Sequence, residues 1–171
     1  MKRFSMFAAA AMFVCGFAFG AGPHYKHLRP MEWMIGDWVG HATLDQDIPG
    51  FGEKGDPVEI AVSLKWRANK NVIVMESIER KEDKEIDGLF ITVEWDAEKK
   101  QVVTSLTNGI GDRWHGVLEF TGGDNHETTS RVVSADGTVA NDAMVVVLER
   151  IGKNSMKYIF ENGSSIVYKR K

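Results

Sequence analysis

The sequence has one cysteine in 171 residues, Cys15, and it lies inside an N-terminal apolar stretch. Beyond that stretch the chain has no thiol. This excludes a disulfide framework and a cysteine nucleophile. Serine chemistry has no foothold either, because no Ser sits in a Gly-x-Ser-x-Gly elbow. There is no basic block, only the short tail Lys169-Arg170-Lys171, so nucleic acid is excluded as the expected partner. No glycine cluster opens a helix, which removes a phosphate-binding loop. After residue 36 no stretch carries a helical period.

What is present begins with a targeting pattern. Lys2 and Arg3 precede an apolar run from Phe4 to Phe19, and Ala18-Phe19-Gly20 puts small residues at the positions a signal peptidase reads. That order of charge, apolar stretch and small-residue exit is a secretory signal. The expectation is a signal at 1–20 cleaved after Gly20, no membrane anchor thereafter, and a periplasmic or secreted mature chain. Val14 before Cys15 is too large for a lipoprotein signal. Loss of Lys2 and Arg3 leaves 19 basic against 24 acidic side chains, a formal charge of −5, which is ordinary for a small domain.

Residues 21–29 show no apolar periodicity and read as a flexible leader. A single domain is expected over 30–171. Pro30 to Ile35 reads as a short helical turn stopped by Gly36. Val58, Ile60, Val62, Leu64 and Trp66 then alternate with smaller or polar residues, the period of a half-buried strand. Similar segments recur to the C-terminus between turn signals such as Asn69-Lys70-Asn71, Asp136-Gly137 and Asn162-Gly163. Val139 begins a strand region that pauses at Asn141-Asp142. About ten short strands with short connections make an antiparallel meander, and closure into an up-and-down barrel removes its edges. The stretch 45–57, with three Gly, two Pro and four acidic residues, reads as a long exposed loop.

The string from Met31 to Gly40, with Gly36-Asp37-Trp38 at its centre, resembles the opening of bacterial lipocalin-like (calycin-type) domains of unknown function. Val93 to Lys100 and the closing Ile166 to Arg170 are similar to the middle and end of that family. A more distant similarity is to nitrobindin-like barrels. The resemblance implies a structural motif in which Gly36 leads into Trp38, and Trp38 packs at the closed end under a basic residue, Arg170 or else Arg150. It also implies a barrel interior that either fills with side chains or holds one small molecule.

Nitrobindin-like barrels bind haem through a histidine in the later strands. The candidates are His41, His115 and His126, all read as surface residues, and the last two strands contain no histidine. No cofactor is therefore expected, with haem as an alternative. His24 and His27 form His-x-x-His, but on a leader without fixed geometry, so no metal site is expected. Glu76, Glu79, Glu94 and Asp96 are strand carboxylates read as solvated; no catalytic constellation is expected and the chain does not read as an enzyme.

The remaining signal is aromatic. Trp66, Phe90, Trp114, Phe120, Met144, Tyr158 and Phe160 fall on strands, some of them facing inward, with Thr104, Thr129 and Arg131 as polar companions. An interior ligand site would draw on Trp66, Phe90, Thr104, Trp114, Arg131 and Tyr158, in a pocket mostly apolar with a few polar groups. Three readings follow: an exported binding protein for a small apolar or amphipathic molecule, a structural or interaction barrel with a filled core, and an enzyme using the barrel mouth. Neither the ligand nor the oligomeric state is written in the sequence.

Overall fold

The computed structural model describes residues 21–109, 111–133, 138–139 and 143–171. The signal at 1–20, the Asp136-Gly137 turn and the Asn141-Asp142 pause lie outside the described residues. Ten strands form one closed antiparallel barrel in which each pairs with the next and β1 closes on β10. They are β1 (Gly36–Thr43), β2 (Pro57–Arg67), β3 (Val72–Lys81), β4 (Lys84–Asp96) and β5 (Gln101–Asn108). The second half comprises β6 (Arg113–Gly122), β7 (Asn125–Val133), β8 (Met144–Gly152), β9 (Ser155–Phe160) and β10 (Ser165–Arg170).

One end of the barrel is plugged by the chain that precedes it. α1 (Tyr25–Leu28) runs into a six-residue 3-10 helix, Arg29–Met34, with Pro30 near its start, where the missing N–H costs nothing. Leu28, Met31 and Met34 are fully or almost fully buried and cap the core. This differs from the flexible leader expected at 21–29. The segment hides its order because a single helical turn is too short to show a period; packing on the barrel supplies the stability that length cannot.

The plug is fastened by the two ends of the domain. Trp38 is fully buried and its indole N–H donates to the Met34 carbonyl at 2.7 Å. Arg170, its cross-strand partner, places its guanidinium carbon 4.2 Å from the Trp38 ring centroid. The same guanidinium donates to the carbonyls of Ile35, at 2.7 Å, and Trp33. Gly36 has φ +135°, and a side chain there would collide with Arg170. Arg150 covers the neighbouring indole instead, 5.1 Å from the Trp33 centroid. Around them Tyr25 donates to Glu32 at 2.5 Å, Lys70 pairs with Glu32 at 3.0 Å, and His27 lies flat on Trp95 at 3.6 Å.

The core fills the half of the barrel next to this plug. Val62, Leu64, Ile73, Val93, Val102, Leu118, Leu148 and Met156 are buried there, from seven different strands, with Tyr168 closing the layer. A second, smaller cluster of Leu44, Phe51 and Val58 sits at the opposite end. It corrects the expectation of a wholly exposed loop at 45–57: Phe51 is 3 % exposed, and Ile48 bridges Gly52 to fold the loop back on the strands. Its Gly and Pro allow the turns, while one aromatic anchor gives it a core of its own.

Replacing Arg170 with Ala removes two hydrogen bonds to buried carbonyls and a cation over an indole. A loss of about 2–4 kcal/mol is expected in urea unfolding. Arg170→Lys recovers only part of it, because an ammonium cannot serve both carbonyls from above the ring.

Candidate functional site

The end of the barrel away from the helical plug is open. A cavity of about 1520 Å³ occupies it, reaching from the 45–55 loop down to Ile60 and Ile166. Beneath it, in the packed core and not in its lining, is a tyrosine pair: Tyr158 and Tyr168 meet edge to face at 5.5 Å, and the Tyr158 hydroxyl donates to the Met75 sulfur at 3.7 Å. Burial holds both phenols above their ordinary pKa, with Tyr168 assisting at Tyr158 and Glu79 assisting at Tyr168. Gly40 makes the close approach of β1 and β10 here, since a side-chain carbon would lie 2.8 Å from the Tyr168 ring.

The walls follow from strand register. Ile60 on β2 is opposite Glu79 on β3, and Glu79 opposite Ile86 on β4. All three line the cavity. Glu79 therefore continues the inward series Ile73, Met75, Ser77, and it is half-buried rather than solvated as expected. Desolvation, with the charge of Asp45 added, raises its pKa. Between Glu76 and Ile78 the β3–β4 ladder shifts register by one residue. Ser77 fills that bulge by accepting the Leu89 amide at 2.7 Å, and Gly88 passes too close to Ser77 for any side chain.

The sequence-expected interior residues divide. None of the six lines the cavity: Thr104 is buried and inward, Tyr158 packs on the core beneath it, and Trp114 lies half-buried on the inward register between Leu106 and Val132. Trp66 is inward but belongs to the plugged end, packed edge-on against Tyr25 at 5.5 Å. Phe90 and Arg131 are corrections. Phe90 is 47 % exposed, because Ile91, Val93 and Trp95 take the inward positions of β4 beyond the bulge and leave Phe90 on the outer side with Thr92 and Glu94. Arg131 is exposed and pairs across the outer face with His115, while Ser130 is buried; the companion Thr129 is likewise exposed. The cavity is lined instead by residues not chosen for the site, among them Ile60, Glu79, Ile86, Leu89 and Ile166, together with Met144 and Phe160 from the wider set of strand residues. Parity along β3 would have found Glu79.

The histidines do not fit a haem held in this cavity. His115 is exposed, 3.2 Å from Ser105 Oγ. His41 belongs to the outward register of β1 and reaches the cavity only at its rim. His126 was expected at the surface; it is 5 % exposed and inward, but in the filled half, opposite Leu148 and edge-on to Phe120 at 6.2 Å. Among the described residues no three of His, Cys, Asp or Glu gather as a metal cage. No family model matches the chain, and no curated protein is detectably similar to it.

Burial depresses the pKa of His126 from 6.5 to about 4. A histidine held neutral in the fold but free to protonate when unfolded favours unfolding as pH falls. Its cost is absent above pH 6.5 and grows as pH drops towards 4. Wild type is expected to lose roughly a few kcal/mol over that window, and His126→Leu to show a much flatter pH dependence in chemical unfolding.

Proposed function

We propose that the protein is an exported binding protein that holds one small apolar or amphipathic molecule in the open half of its barrel. The observation that carries this reading is the asymmetry of the interior. One half is filled and plugged, while the other keeps a cavity of about 1520 Å³ open to solvent. Ligand pockets span about 300–1,000 Å³ and are mostly apolar with a few placed polar groups. Ile60, Leu89, Met144, Phe160 and Ile166 supply the apolar walls, and Glu79 a polar group among them. Such a cup favours binding by desolvating an apolar surface at about 25 cal/mol per Å²; strands β1 to β5 and β8 to β10 contribute its walls and the 45–55 loop part of its mouth.

Ile60→Trp would fill the cup from its wall without touching the plug. Displacement of a fluorescent fatty-chain probe should weaken at least tenfold in this variant, with the melting temperature little changed. Phe90→Ala, on the outer face, should bind the probe as wild type does. Equal binding by all three would place the probe elsewhere and sink the proposal. Intact mass of the protein from its native host should correspond to a chain starting at Ala21, and native mass spectrometry of that material should show a bound small molecule.

A further inference from the structure

Among the described residues the cup carries an excess of negative charge. Asp45, Asp47, Glu79, Asp87 and Glu161 line it, against Lys54 as the single basic residue among the described lining. Two cations near this end are engaged outside the cavity. Arg80 holds Glu59 at 3.4 Å and Glu85 at 2.6 Å, and Lys81 is paired with Asp56. Lys54 stands on the rim loop, with its amide donated to Asp47 at 2.8 Å.

Glu79 is the exceptional member of the set. Four of the five carboxylates stand on exposed rim residues, whereas Glu79 is half-buried and aimed inward from the middle of a wall. No described residue gives it a hydrogen bond or an ion pair, so a half-buried carboxyl group faces the cavity without a partner. That is an unfavourable arrangement for an empty cup and a favourable one for a cup that receives a positive group. In the closed ring β8 lies five strands from β3, so the wall facing Glu79 carries Met144 on β8 and Phe160 on β9. A thioether and a phenyl ring together accept the apolar part of a ligand, and an aromatic face also attracts an organic cation.

We infer that the cup selects an organic cation with an apolar body, an amine or quaternary ammonium, whose charged group sits against Glu79 and whose carbon body rests on Met144 and Phe160. The inference rests on the proposed binding function and names the chemistry of its ligand. The negative rim adds to it by drawing cations towards the mouth and turning fatty acids away.

Three probes with the same chain separate the two claims: dodecyltrimethylammonium, dodecanol and dodecanoate, titrated below their aggregation limits by calorimetry. The ammonium should bind at least tenfold more tightly than dodecanol, and dodecanoate more weakly than either. Glu79→Gln keeps the shape of the wall and should bring the ammonium to within about threefold of dodecanol, leaving dodecanol unchanged. Dodecanoate binding as tightly as the ammonium, or a cation preference that survives Glu79→Gln, would overturn the inference while leaving the binding function in place. If none of the three binds to the folded protein, the binding function fails and this inference falls with it.

Discussion

The structure depends on one guanidinium. Arg170, the penultimate residue, lies over Trp38 from the first strand and holds the carbonyls of Trp33 and Ile35. Three things are joined at that point: the last strand, the first strand and the helical segment before it. A meander can end as an open sheet with two bare edges, or close on itself. Closure requires the final strand to find the first, across the largest sequence separation in the domain. The cation over the indole, and the two carbonyls beneath it, mark that register: Trp38 against Arg170, Gly40 against Tyr168. They also decide which end of the barrel is shut.

From that choice the rest of the interior follows. Side chains from the helical plug fill the adjacent half, so apolar burial is concentrated there. The opposite half has no plug. Its loop at 45–56 anchors to the rim through Phe51 and lines the mouth of the cavity. The Tyr158–Tyr168 pair marks the boundary between the two halves. A buried carboxylate is costly in a packed core, and Glu79 is found just beyond that boundary, where space and partial solvation allow it. The bulge at Ser77 adjusts the ladder beside it, so that Ile86 and Glu79 share one face.

Much of the fold was legible in the sequence, for physical reasons. Val58 to Trp66 alternates cleanly because β2 has one face on the core and one in water. The strand number and the meander were readable from short, turn-rich connections. What was not legible is where alternation loses its contrast. His126 to Val132 mixes polar residues on both faces, so the sequence does not show that Ser130 is inward and Arg131 outward. Phe90 misled because an aromatic on a strand suggests burial, while the parity of Ile91, Val93 and Trp95 assigns it to the outside. The plug was hidden because its order comes from Leu28, Met31 and Met34 docking on a barrel that only the folded chain provides. The candidate site was the least legible part. A cavity is defined by side chains that are absent, and the inward aim of Glu79 emerges only from register.

The central claim is that the molecule binds its ligand inside, at the unplugged end. Backbone amide chemical shifts, followed as dodecyltrimethylammonium is added, test it directly. The shifts should cluster on Ile60, Glu79, Met144, Phe160 and Ile166, and leave Trp33, Trp38 and the outer face at Phe90 and Arg131 unmoved. Shifts centred on the plugged end or spread over the outside of the barrel would contradict the claim.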